Sequence, residues 1–143
     1  MTDAGGPQKI VVGIDGSASS IDAFQWAVRQ AQMTGSHLEA VMVWQYPRGA
    51  VPAGAEDFEA ESRLALDSAT DGAFSGALPV EATKIVEQGE PAPTLIRRSK
   101  DAALLVVGSR GRGQFVGMLI GSVSQYCVTH AQCPVVVLRG PEG

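Results

Sequence analysis

The chain has 143 residues, 45% of them apolar, and a formal net charge of −4. That length suits a single domain with a real hydrophobic core, and the acidic balance argues against bulk attraction to nucleic acid or an anionic membrane surface. No apolar run nears bilayer-spanning length, the polar stretch MTDAGGPQ lacks the apolar core of a secretory signal, and Cys127 and Cys133 stand in no zinc or disulfide-framework spacing. A cytoplasmic protein with free thiols is expected, with one domain over 9–139 between flexible ends at 1–8 and 140–143.

The first element is the β-branched run KIVVGI, residues 9–14, which ends in the turn chemistry of Asp15-Gly16-Ser17. A run without polar alternation suits a strand buried on both faces of a parallel sheet. Ile21, Phe24, Val28 and Ala31 then recur at helical spacing. Ser17, Ser19 and Ser20 offer N-caps, and Gly35 is placed to end the helix. Residues 38–44 form a second strand, followed by a loop rich in Ala, Gly and Pro to about residue 55.

Glu56, Asp57, Glu59 and Glu61 open a second helix, where negative charge favours the positive end of the dipole. Its apolar face is read as Phe58, Leu64 and Ala65, with Gly72 and Gly76 weakening its end. Residues 80–87 alternate and predict an edge strand. Gly89-Glu90-Pro91 starts a third helix, with Leu95 and Ile96 inward and Arg97, Arg98 and Lys100 outward. Residues 103–107 are a buried strand, 122–131 a last helix and 134–138 a last strand.

Strict alternation of strand and helix predicts an α/β fold: an open parallel sheet with helices on both faces. Ligands of such sheets bind at the carboxyl ends of the strands, where strand order reverses. Two strand ends here carry suitable chemistry. One is Asp15-Gly16-Ser17. The other is the glycine-rich stretch VVGSRGRGQFVGMLIGS, residues 106–122. The second has no Gly-Lys-Ser or Gly-Lys-Thr, and no GxGxxG follows the first strand, so both common nucleotide fingerprints are missing. Glycine admits close backbone approach and positive φ. The stretch ends where a helix begins, and a helix N-terminus can hold an anion without a lysine. Arg110 and Arg112 are second-tier partners for such an anion.

The pattern Gly108-x2-Gly111-x9-Gly121-Ser122 resembles the signature of the ATP-binding branch of the universal stress protein family. VVGIDGSASS (11–20), Gly89-Glu90-Pro91, LLVVGSRG (104–111), GSVSQ (121–125) and CPVVVL (133–138) are similar to that family's other characteristic stretches, so the resemblance runs from Lys9 to Arg139. It implies a Rossmann-like five-stranded parallel sheet of order 3-2-1-4-5, and a homodimer that pairs the last strands. It implies bound ATP with a divalent cation, Mg2+ or Mn2+. Carried over by position, Ile14 and Asp15 would meet the nucleoside, with Asp15 near the metal. The backbone of Val43 or Trp44 would meet the adenine edge. Gly108, Arg110, Gly111, Gly121, Ser122 and Val123 would hold ribose and phosphates.

Blander readings stand beside these. Asp15 also suits a turn or cap residue, though the full signature favours binding, and Ser122 suits an N-cap, a role compatible with phosphate contact. Trp26 and Trp44 read as packing residues, His37 has no evident partner, His130 suits a helix C-terminus, and Cys127 reads as buried. No nucleophile–base pair is apparent, so the expected function is a nucleotide-holding stress-response or signalling module and not an enzyme. The alternatives are an AMP or cyclic AMP module, a slow ATP-hydrolysing enzyme, and a docking protein with a vestigial site.

Overall fold

The computed structural model describes residues 8–46, 54–74, 76–109 and 120–139. Arg110, Gly111 and Arg112 lie outside the described residues, as do residues 1–7, 47–53 and 140–143. The elements alternate: β1 (Lys9–Gly13), α1 (Ala18–Thr34), β2 (His37–Trp44), α2 (Ala55–Ala73), β3 (Ala82–Gln88), α3 (Pro91–Arg98), β4 (Leu104–Gly108), α4 (Ser122–His130) and β5 (Val135–Leu138). All strand pairs are parallel, in the order β3-β2-β1-β4-β5. The expected α/β architecture and strand order are present.

Period-2 geometry splits the sheet's apolar residues between two cores. Ile10, Val12, Leu38, Ala40 and Val106 pack with Phe24, Ala27, Val28 and Ala31 of α1 and Leu66 of α2. Val11, Val41, Leu105 and Val107 face the other way, against Ala92 and Leu95 of α3 and Cys127 of α4. Burying a side chain such as Phe24 or Leu38 contributes about 2–3 kcal/mol.

Local capping chemistry sets the bounds of α1. The Ser17 hydroxyl accepts the Ser20 N–H at 3.2 Å, and Gly35 ends the helix in the left-handed region at φ 72°. Helix α2 departs from expectation. Leu64 is 70% exposed and Ala65 is exposed, while Leu66, Thr70 and Ala73 are buried. The stripe that meets α1 is therefore Leu66, Ala69, Thr70 and Ala73. Thr70 is tolerated there because its hydroxyl donates to the Leu66 carbonyl at 2.9 Å. Phe58 leaves that stripe to stack on Trp44, with ring centroids 5.6 Å apart. Gly72 does not stop the helix, which runs on to Ala73.

One further expectation is corrected by a contact between distant segments. His37 has a partner, its Nε2 lying 2.8 Å from the Thr83 hydroxyl across the β2–β3 pair. Arg97 and Arg98 point outward as expected, Arg97 exposed and Arg98 part-buried. Both reach the Glu87 carboxylate, Arg98 Nε at 2.6 Å, and so tie α3 back onto β3.

The two sheet edges differ. The β3 edge is polar: Arg63 donates to the Lys84 carbonyl at 3.2 Å, and Lys84 pairs with Asp67 at 3.0 Å. Edge strand β5 is Val-Val-Val-Leu, every residue only part-buried. None of its own side chains is charged, whereas edge strands usually carry charge.

Candidate functional site

A right-handed chain that builds β1, β2 and β3 outward in one direction must return past them to place β4. The reversal falls between β1 and β4, and a solvent-open cleft of about 560 Å3 lies at the carboxyl ends of these strands. Ile14, Asp15, Val43, Gly108, Gly121 and Val123 all line it. Of the described candidates, Trp44 and Ser122 are not among the lining residues.

The β1 end is shaped by a short turn. The Asp15 carboxylate accepts the Ser17 N–H at 2.9 Å, an Asx-type turn. The Asp15 N–H points to the Ser20 hydroxyl at 3.3 Å, and Ser20 donates to the Ser17 carbonyl at 2.9 Å. Asp15 is thus both the turn residue and a carboxylate on the cleft wall. The two readings are compatible, since one carboxylate accepts several hydrogen bonds.

Phase along β2 separates Val43 from Trp44. The Val41 carbonyl accepts the Ile14 N–H at 2.9 Å, so the Val41 peptide groups face β1. Alternate residues face alternate neighbours, so Val43 also faces that side. The β1–β2 register ends at Gly13 opposite Val41, and the Ile14 bond follows it. The Val43 N–H and C=O therefore lie beyond the end of the β1 ladder, beside the cleft. The Trp44 carbonyl faces β3 and accepts the Gly89 N–H at 2.8 Å. Its ring packs with Phe58 and, edge-on at 5.3 Å, with Tyr46.

Gly108 is needed for space. Its φ is not positive, unlike that of five other described glycines. A Cβ here would stand 2.7 Å from the Ser19 carbonyl carbon and 2.8 Å from the Ser20 amide nitrogen. Glycine lets the first turn of α1 close over the end of β4. Gly13 has a milder constraint, because the nearest atoms to an added Cβ all belong to the Leu95 side chain, the closest at 2.7 Å.

At α4 the expected cap moves by one residue. Gly121, with φ −76° and ψ 167°, occupies the cap position, and Ser122 is the first helical residue and exposed. The Gly121 N–H is bonded to the Ser109 carbonyl, which holds Gly121 extended and starts helical torsions at Ser122. Gly121 has no side chain with which to cap this end, in contrast to Ser17 at α1. The amides of Ser122, Val123 and Ser124 have no intrahelical acceptor. They form a partly positive end beside the cleft.

Sequence reasoning missed Ser20, Leu95 and Ser124 as cleft residues. The serine-rich start of α1 was a signal for Ser20. Nothing local marked Leu95, which arrives from α3 across the sheet. Neither histidine nor either cysteine lines the cleft, and no group of three metal-ligating side chains occurs among the described residues. Among the described residues, Asp15 alone supplies a carboxylate there. That donor set fits Mg2+ or Mn2+ held chiefly by phosphates and water with one carboxylate, as Mg2+ commonly is. No helix among the described residues is long and apolar enough to cross a membrane.

Known proteins with this sequence pattern and architecture are consistent in kind. A universal stress protein of Mycolicibacterium smegmatis is 38% identical over 132 residues, covering 91% of this chain and 45% of its own length. The chain spans less than half the length of the curated relatives it matches. Universal stress protein UspA from Lactobacillus plantarum superposes with a TM-score of 0.74 at 25% identity, covering 92% of this chain and 97% of that one. Two further structures share the fold. One is a universal stress protein in complex with cAMP (TM-score 0.63, 24% identity, 94% of this chain and 98% of that one). The other is an Arabidopsis thaliana family protein with AMP bound (0.62, 22%, 94% and 93%). The sequence model of the universal stress protein family matches residues 7–139, nearly the whole chain, and with the 3-2-1-4-5 sheet and its cleft this establishes that the chain belongs to that family.

Proposed function

We propose that the protein binds an adenine nucleotide, ATP in the first instance, in the cleft between β1 and β4, and acts as a nucleotide-dependent stress-response module of the cytoplasm. The observation that carries this reading is the pairing, across one cleft, of two backbone surfaces that meet no partner within the β1–β2 ladder or within α4. On one side are the Val43 N–H and C=O beyond the end of β1. On the other is the uncapped start of α4. A neighbouring donor and acceptor match the N1 acceptor and N6 donor of adenine. Guanine presents the opposite order and is disfavoured. The α4 amides would receive phosphate with no lysine, helped by Gly111 and Arg110 of the glycine-rich loop. Asp15 would meet a ribose hydroxyl or share the cation, and Ile14 and Val123 would contribute apolar wall.

A holding role is supported by how the cleft hydroxyls are used. Ser20 donates to the Ser17 carbonyl and Ser124 to backbone carbonyls, and no histidine stands by to activate either. We propose slow turnover at most, because no histidine or glutamine among the described residues lines the cleft to orient an attacking water. AMP or cyclic AMP is the second reading, favoured by the neighbours that carry those ligands. A homodimer through β5 is supported by that strand's uncharged apolar edge.

Mass spectrometry of ligand released from gently purified protein, followed by calorimetry with ATP, AMP and cyclic AMP, tests the reading. Adenine nucleotide is expected in the first and saturable binding in the second. Protein that carries none and takes up none would overturn it. Repeated turnover of ATP with Mg2+, abolished by Asp15→Ala, would overturn the holding role alone.

A further inference from the structure

Ser124 stands out among the cleft residues because its side chain works outside its own helix. It is 2% exposed. Its hydroxyl lies 3.2 Å from the Gly121 carbonyl one turn back, and 3.2 Å from the Ser109 carbonyl on the segment after β4. The first contact is the ordinary back-bond of a helical serine. The second bridges 15 residues of sequence, across the whole glycine-rich loop. Ser109 is itself immobilised: it is 5% exposed, and its N–H donates to the Leu138 carbonyl of β5 at 2.7 Å. The same Ser109 carbonyl accepts the Gly121 N–H. One sheet-anchored carbonyl thus receives both a backbone and a side-chain donor from the first turn of α4.

We propose that Ser124 is a positioning residue for the phosphate end of the ligand. It pins the first turn of α4 to the sheet, so that the amides of Ser122, Val123 and Ser124 keep a fixed aim into the cleft. This rests on the nucleotide reading above. The strength of a charge-assisted N–H contact depends steeply on direction, and preset donors need no reordering when the ligand arrives. The adenosine end is held from β1 and β2, neither of which accepts the Ser124 hydroxyl. Its removal therefore acts on phosphate and spares the nucleoside.

The test is displacement of a fluorescent adenine nucleotide from the full chain by adenosine, AMP and ATP, for the wild type and for Ser124→Ala. Loss of one buried hydroxyl bond corresponds to roughly a three- to tenfold loss of affinity. That loss is expected for AMP and ATP, with adenosine affinity changed by less than about twofold. An equal loss for all three ligands means general damage to the cleft and overturns the proposal. Unchanged affinity for all three overturns it as well, while leaving the nucleotide reading intact. Wild-type protein that binds none of the ligands overturns both.

Discussion

Replacing Gly108 by alanine tests how closely α1 seats over the end of β4. The backbone torsions at Gly108 suit any residue, so the cost is steric alone. The new methyl would stand 2.7 Å and 2.8 Å from backbone atoms of Ser19 and Ser20. Backbone in the first turn of a buried helix cannot swing aside as a side-chain tip can. Overpacking costs about 1–3 kcal/mol, and two backbone obstacles place this case at about 2–3 kcal/mol. For a chain of this size about 3–4 °C in Tm corresponds to each kcal/mol, so melting should fall by about 6–12 °C. The Ser17–Ser20 turn would shift with α1, and nucleotide affinity should fall too. Gly72→Ala is the internal control. Gly72 is helical, and an added Cβ meets nothing within 4 Å. Alanine there should stabilise by about 0.5–1 kcal/mol. Thermal melting followed by circular dichroism, with a parallel nucleotide titration, reads both variants. A Gly108→Ala protein that melts within 2 °C (roughly 0.5 kcal/mol) of wild type and binds as tightly would refute the argument from close approach.

Burial, then the nearby Cys133, pushes the Cys127 thiol from 9.0 up to about 11. Because the folded value is the raised one, this contribution of about 2–3 kcal/mol is fully present below pH 9 and is lost as pH rises towards 11. Urea midpoints should fall across that window in wild type and hold flatter in Cys127→Ala, and alkylation at pH 8 should mark Cys133 well before Cys127. Ser17→Ala removes the cap of α1 and should cost about 1 kcal/mol in urea unfolding. Glu87→Gln weakens the link from Arg97 and Arg98 to β3. A loss of about 1 kcal/mol that shrinks at high salt is expected, and a salt-independent loss would point elsewhere. Ser122→Asp places a carboxylate on the first helical residue of α4. Calorimetry should show at least about tenfold weaker ATP binding from like-charge repulsion, with Tm unchanged or raised because the charge suits the helix dipole.

Features set by a few neighbouring residues were legible in the sequence. Ser17 and Gly35 bound α1, Pro91 starts α3, and the β-branched runs are strands, β1 and β4 inside the sheet and β5 at its edge. Each is a local backbone preference that needs no partner to express. The strand order came from the family resemblance, because periodicity names elements and not their neighbours. What required the folded molecule is all relational. Leu66 and not Leu64 is buried, because the phase of α2 is chosen by where α1 lies. His37 finds Thr83, and Arg97 and Arg98 find Glu87, across strand and helix pairs. Gly108 reads in the sequence as a glycine of the binding signature, and in the fold also as the point where the first turn of α1 closes over β4. Val43, one peptide before Trp44, faces the cleft only because β1 ends opposite Val41. Sequence determined which segments would be strands, which helices, and that a glycine-rich turn would meet a helix start. Tertiary packing decided which atoms remain unspent at that meeting, because a hydrogen-bonding group is free only with respect to the partners the fold brings to it.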